Sequence, residues 1–446
     1  MTSAQPADQL ARGKWWEIYG DPQLNRLEDK IKVSNQTLKG AVAQFEQARA
    51  MVRFERADFY PTVTAGAAGS ANRLSRNRAL ASTVSPTNYS DILMPLVSVS
   101  YEPDLFGSVR HTVEGARTRA QASAGDLENV SLSLHAQLAV DYFQLQSLDA
   151  DEAVLNSSVA TFERALELTE NRYKGGVASA VDVAQAETQL ETTRAQAIDV
   201  RAARAQFEHA IAVLIGEPAS SFSIPNSPLE QTPPPIPVGL PSELLERRPD
   251  VAAAERRVAS ANEQIGIARA AYFPSVNLSG SGGFESASLT NLLSGPSGFF
   301  IAGASALVTV FDAGRRRSVS EQAQAAYQQN AANYRETVLN AFREVEDNLA
   351  SLRILAEEAK TQQAAVAAAE HSVDLSTNRY KGGVASYLEV TTAQGIALSN
   401  QRLEVDIRGR RMTSSVQLIQ ALGGGWRATE LPTGKIPNLP ASSTGQ

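Results

Sequence analysis

The sequence contains no cysteine in its 446 residues, which excludes disulfides, thiolate metal sites and cysteine nucleophiles. It also lacks any run of about 18 or more apolar residues, so no transmembrane helix is expected. No Lys/Arg-rich block occurs, and 41 basic against 48 acidic side chains leave a net charge of -7, which argues against a nucleic-acid partner. His111, His135, His209 and His371 are isolated, with no two at metal-ligand spacing, and no nucleophile-base constellation or phosphate loop is present; catalytic residues, metal and cofactors are expected to be absent. The start Met1-Thr2-Ser3-Ala4-Gln5-Pro6 has neither a basic nor an apolar signal region, so a signal peptide would lie outside this sequence. What remains, 43% hydrophobic and 20% charged residues, suffices for a sizeable core.

Proline is missing where it matters most. Of the 20 prolines none lies between Pro103 and Pro218 or between Pro296 and Pro432. Because proline in a helix interior costs about 3 kcal/mol, both gaps predict helix. From Ser108 to Lys174 a continuous helix would reach about 100 Å at 1.5 Å per residue. Within the first gap Leu127, Leu134, Leu148, Leu155 and Phe162 form one seven-residue row, and Leu138, Leu145, Val159, Leu166 and Tyr173 form another. In the second gap Val338, Val345, Leu352, Ala359, Val366, Val373 and Tyr380 keep the same step. Such rows are coiled-coil seams.

The chain is also duplicated. Asn171 to Ser179 recurs unchanged as Asn378 to Ser386, an offset of 207 residues that also carries Gly107 onto Gly314, Asp182 onto Glu389 and Gly216 onto Gly423. Each half therefore reads as long helix, Gly-Gly turn and returning helix. Upstream, Phe59-Tyr60-Pro61 matches Tyr272-Phe273-Pro274. After Pro61 one strand face reads Val63, Ala65, Ala67 against Thr62, Thr64, Gly66; after Pro274 it reads Val276, Leu278 against Ser275, Asn277, Ser279, Ser281. Return strands are expected at about 91–102 and 299–311, with loop tips at 73–88 and 285–297. Two hairpins give four strands with two open edges and an apolar face, which in a membrane must close into a barrel of at least about eight strands. Several copies would have to share it.

The sequence resembles the TolC-like outer-membrane efflux proteins, of the lipoprotein branch called the NodT type. The resemblance covers nearly the whole chain and rests on Trp15-Trp16 with Asp21-Pro22-Gln23-Leu24, Phe59-Tyr60-Pro61, Tyr101 to Gly107, Arg247-Arg248-Pro249-Asp250, Ala270 to Pro274, Val310 to Gly314 and Ala421 to Trp426. It implies a mainly α protomer with a membrane β-barrel, four strands plus long coiled-coil helices, and a homotrimer forming a 12-stranded β-barrel and a 12-helix α-barrel. The expected segments are 1–60, an N-terminal equatorial segment and first helix that includes Trp15, Trp16 and Tyr19; 61–103, the first β-hairpin; 104–215, the first helical hairpin; and 216–241, a Pro-rich connector. The second half follows as 242–273, a helix; 274–311, the second β-hairpin; 312–422, the second helical hairpin; and 423–446, a tail.

By the same resemblance the protein would work with a periplasmic adaptor and an inner-membrane resistance-nodulation-division pump, as a passive exit duct in a Gram-negative outer membrane, in contact with its lipid. Glu389 matches an acidic gate position, Asp182 is its duplicate, and Thr392 stands where the family often has a second carboxylate. Tyr173 and Tyr380, which end the heptad rows, could join the gate by hydrogen-bonding to a neighbouring helix or simply pack. Gly175, Gly176, Val177, Ala178 and Ser179, with Gly382, Gly383, Val384, Ala385 and Ser386, would receive the adaptor; the glycines permit positive φ and the serines can cap the returning helices. Solvated first-turn carboxylates and plain turn chemistry are the simpler readings of these residues. The branch carries an acylated N-terminal cysteine, and the expectation is that this lipid anchor, absent from the chain, was lost with the signal peptide. The competing function is a non-conducting coiled-coil scaffold or adhesion stalk; within the duct reading, metal or protein export competes with drug efflux.

Overall fold

The computed structural model describes residues 13–73, 75, 88–236 and 248–426. Most of the 73–88 loop, the end of the connector, Arg247 and the tail beyond Trp426 lie outside the described residues. In chain order the elements are α1 (Pro22–Ser34), α2 (Gln36–Arg56), β1 (Thr62–Arg73), β2 (Asn88–Tyr101), α3 (Ser108–Lys174), α4 (Ala180–Leu214), α5 (Pro249–Ala270), β3 (Ser275–Ser286), β4 (Gly298–Leu307), α6 (Arg315–Lys381) and α7 (Tyr387–Ala421). The proline-free gaps hold α3 and α6, each an unbroken 67 residues. The single first helix expected near the N-terminus is in fact two. Asn35 adopts an extended conformation, accepts the Leu38 N–H at 2.8 Å as the cap of α2, and donates to the Leu214 carbonyl at 2.7 Å.

The long helices begin with a shared device. Gly107 and Gly314 take φ of +83° and +88°, and the carboxylates just upstream hold the first amides. Asp104 accepts from Val109 and Arg110, while Asp312 accepts from Gly314 and Arg316.

The chain divides into two compact units. One comprises Met1–Ala43, Ala124–Ala252 and Arg335–Gln446. Its core gathers Trp15, Trp16 and Tyr19 with Leu24 and Ile31 of α1, Leu138, Tyr142, Phe143 and Leu145 of α3, Ile211 of α4, and Met412, Val416 and Ile419 of α7. The chain start is thus the centre of this unit's packing. The described part of the connector is extended but strapped down: Ile224 and Leu229 enter the core, and the buried Asp149 accepts from Ser227 N at 2.8 Å and from Arg204. The same core holds a fully buried acid beside a base, Glu28 against His135 Nδ1 at 2.6 Å, with Trp16 stacked on the imidazole at 4.4 Å. Burial pushes the Glu28 carboxyl well up and His135 down to about 4, so both shifts favour the uncharged forms.

The other unit comprises Gln44–Ser123 and Ala253–Tyr334 and contains an antiparallel sheet in the order β1-β2-β3-β4. Its register sorts the side chains by face. Val63 and Ala65 lie beside Val99 and Val97, these beside Gly280 and Gly282, and these beside Ala302 and Phe300. On the reverse, Thr62 and Thr64 lie beside Ser100 and Ser98, then Ser279 and Ser281. From β1 to β3 this stretch has one apolar face and one small, polar face, as the alternation predicts, whereas on β4 the second face carries Ile301 beside Ser281 and Leu307 beside Ser275. Val63, Val99, Leu278 and Phe300 on the apolar face are exposed. Against both neighbours β2 carries one extra residue around Met94 and Pro95. A central strand tolerates proline only at such a bulge. β4 ends at Leu307 rather than near Phe311, because Leu307 pairs with Ser275 and the next position on β3 is Pro274, which has no N–H to offer the ladder.

Beside the sheet, the Ser260 hydroxyl of α5 donates to the Gly115 carbonyl of α3 at 3.1 Å. A Cβ on Gly115 would already touch Glu263 at 3.4 Å, so the glycine sets how closely these two helices approach.

Candidate functional site

The two helical hairpins end in turns with one hydrogen-bond pattern. At the first, Gly175 N, Gly176 N and Val177 N donate to the carbonyls of Asn171, Tyr173 and Arg172 at 3.1, 2.9 and 2.8 Å. At the second, Gly382, Gly383 and Val384 donate to Asn378, Tyr380 and Arg379 at 3.0, 3.0 and 3.1 Å. Gly176 and Gly383 sit at φ of +72° and +75°, the left-handed conformation that closes a helix C-terminus. Gly175 and Gly382 do not use this freedom. A Cβ on either would meet backbone only at 3.5 Å, an ordinary contact. Of the four glycines that permit positive φ, Gly176 and Gly383 adopt it.

Beyond the turns the repeats diverge in chemistry. Ser179 caps α4 by accepting from Asp182 N at 3.2 Å, and the Asp182 carboxylate accepts from Ser179 N at 2.9 Å, a reciprocal capping box. Ser386 occupies the same place before α7 without a side-chain cap, and Glu389 instead lies 3.7 Å from Arg379 with both side chains about half exposed. Thr392 is exposed and turns its hydroxyl back to the Leu388 carbonyl at 2.7 Å. Val177, Ala385 and Val384 remain at the surface or near it, and Ala178 donates its amide to Arg172 O at 3.2 Å.

The tyrosines part most clearly. Tyr173 is half exposed, whereas its duplicate Tyr380 is buried. Tyr380 meets Tyr387 edge to face at 5.2 Å, and the Arg172 guanidinium lies 4.7 Å above the Tyr380 ring. Arg172 Nη1 also donates to the Lys381 carbonyl at 3.1 Å. Ala186, Val390 and Leu166 complete the cluster, and Thr169 is within hydrogen-bonding reach of the Tyr387 hydroxyl. Burial pushes that hydroxyl up to about 12, with Tyr380 and the nearby Asp182 charge adding to the rise. The second hairpin is thereby clamped to the first. Of the expected gate residues the clamp includes Tyr380, with Glu389 and Asp182 at its edge, while Tyr173 and Thr392 stand outside it.

Sequence reasoning missed Arg172 and Tyr387. A signal for Tyr387 exists: it is the residue at which nine identities end, opposite Ala180. Among the described residues no group of three metal-ligating side chains converges, and no helix is long and apolar enough to cross a membrane.

A sequence profile described as outer membrane efflux protein matches residues 27–217 and 240–424. The chain is 33% identical over 428 residues to the probable efflux pump outer membrane protein TtgC of Pseudomonas putida, covering 95% of this chain and 87% of that protein. It is 31% identical to the pyoverdine export outer membrane protein OpmQ of Pseudomonas aeruginosa, covering 93% and 88%. The solved outer-membrane channel OprN superposes with a TM-score of 0.88 at 28% identity, covering 94% of each chain.

Proposed function

The chain belongs to the outer membrane efflux protein family, and from this membership we propose that it is the exit duct of an efflux pump, passively conducting drugs or other small molecules from periplasm to exterior. It acts in the outer membrane of a Gram-negative bacterium. The observation that carries this reading is the two-faced sheet: an apolar face uncovered within the chain, a Thr/Ser face behind it on β1 to β3, and strands of 10 to 14 residues, long enough to span the hydrocarbon core. β1 and β4 are outer strands, so the sheet closes only with further copies. Three copies supply twelve strands, and α3, α4, α6 and α7 supply twelve long helices for a tube.

In this reading the clamp of Arg172, Tyr380 and Tyr387 holds the periplasmic end narrow, and Glu389 presents carboxylates to the opening. The adaptor docks on the turns 175–179 and 382–386; the support is that Gly175 and Gly382 are not required by the backbone. An inner-membrane resistance-nodulation-division pump supplies the energy, and acylation upstream of this chain belongs to the same proposal.

The test is single-channel conductance of the detergent-purified protein in a planar bilayer, with mass measurement of the same sample. A trimer forming cation-preferring channels is expected, and Glu389→Ala raises conductance or relaxes the preference. Unchanged values would assign gating elsewhere. Replacing Val63, Val276 and Leu278 by charged residues abolishes insertion; normal insertion of that variant would favour a scaffold.

A further inference from the structure

The end of the sheet nearest the helices carries chemistry that conduction does not use. The pairs Thr62 with Ser100, Tyr101 with Leu278, and Ser275 with Leu307 bring the start of β1, the end of β2, the start of β3 and the end of β4 to one rim. Each strand has an exposed aromatic just beyond it there: Tyr60, Phe106, Phe273 and Phe311. Phe106 and Phe273 stack at 4.9 Å with planes 10° apart, which joins the two halves of the rim.

Arginines stand on the same rim. Arg110 lies in the first turn of α3, and Arg315 and Arg317 lie in the first turn of α6, all three exposed. Cations at a helix N-terminus oppose the helix dipole, and neither first turn contains an acid. Asp104 and Asp312 hold the amides that open the two helices, Asp104 also lies 3.8 Å from Arg110, and Glu102, just past β2, is exposed on the same rim. Arg316 donates to Asp312 at 2.7 Å and covers Tyr272 at 5.3 Å, and the exposed Arg317 donates to the exposed Glu321 at 2.9 Å, while Arg315 faces outward.

We propose that this rim binds the anionic phospholipids of the periplasmic leaflet, its rings at the depth of the glycerol region and its arginines on the phosphates. The proposal rests on the barrel reading above. Rings, arginines and the continuous apolar face of the sheet converge on one occupant, a bilayer whose surface is negative. A soluble phosphate would need the arginines but not the exposed rings.

The experiment uses the whole chain, delipidated in detergent and titrated with phosphatidylglycerol or phosphatidylcholine, bound lipid being counted by native mass spectrometry. Phosphatidylglycerol should be preferred, by about 5-fold for each arginine that reaches a headgroup. R315Q/R317Q should lose most of that preference, and Arg110→Gln a smaller part, while both variants float with liposomes as the wild type does. Equal retention of the two lipids, or an unchanged preference in the double variant, overturns the proposal, as it would if a second copy covers the rim. Displacement of the lipid by millimolar inorganic phosphate also overturns it, and resistance to displacement supports it. Wild-type protein that fails to float with liposomes removes the barrel and the rim together, whereas insertion without lipid preference removes the rim alone.

Discussion

The first and second hairpin turns have the same nine residues and share three backbone hydrogen bonds, yet Arg172 and Tyr173 have different surroundings from Arg379 and Tyr380. Tyr173 faces solvent and Tyr380 is buried; Asp182 closes a capping box and Glu389 reaches for Arg379; Arg172 lies on a ring and Arg379 on a carboxylate. The difference traces to position 387, where the second repeat has a tyrosine and the first has Ala180. Local sequence fixes the turn, whereas one aromatic outside the repeat decides which copy becomes a clamp.

Removing that aromatic should break the asymmetry outright. Tyr387→Ala deletes a buried ring, a loss of about 3 to 5 kcal/mol for a large aromatic. Amide exchange in residues 166–174 and 380–392 should then accelerate by two orders of magnitude or more, and the two turns should exchange alike. High pH attacks the same residue. Its hydroxyl titrates near 12 in the fold but near 10 when unfolded, so the protonated form is favoured by folding. That stability is complete below pH 10 and lost between 10 and about 12, on the order of 2 kcal/mol. Tyr387→Phe should flatten this part of the pH profile in denaturation curves.

Smaller changes sharpen the comparison. Arg172→Ala removes the contact with Tyr380 and the bond to Lys381 and should cost about 1 to 2 kcal/mol, whereas Arg379→Ala, which breaks only an exposed pair, should cost under about 0.5 kcal/mol. Equal losses would mean that the clamp does not run through Arg172. Smallest of all are the glycines. Gly176→Ala and Gly383→Ala should each destabilise by about 1 kcal/mol because of positive φ, and Gly175→Ala and Gly382→Ala by almost nothing. If the second pair nevertheless abolishes efflux in cells at normal protein levels, the turns serve a partner.

Much of this fold could be read from the chain because its signals are local. Proline-free stretches delimit α3 and α6, and the alternation at Val63 and Val276 assigns the sheet faces that the register bears out. The exact end of β4 needed the knowledge that Pro274 would lie opposite Val308, which only the register provides. The break at Asn35 was readable in principle from its capping residue but is overridden by no proline, so the pattern ran on through it. At the tip, repetition located the turns but concealed their inequality, because identical residues cannot show different neighbours. The Glu28 and His135 pair gave no sign at all: the partners are 107 residues apart, and each reads alone as a surface polar residue on a helix.

The two open ladders of the sheet, on β1 and β4, also govern how damage to this protein will present itself. In the proposed shared barrel a protomer reaches its final form only by joining others and has no melting temperature of its own, since its stability depends on how many neighbours are at hand. A mild lesion in a strand would therefore lower the yield of assembled channels steeply when expression is weak and hardly at all when it is strong. Dose, rather than temperature, is the variable in which such a variant would reveal itself.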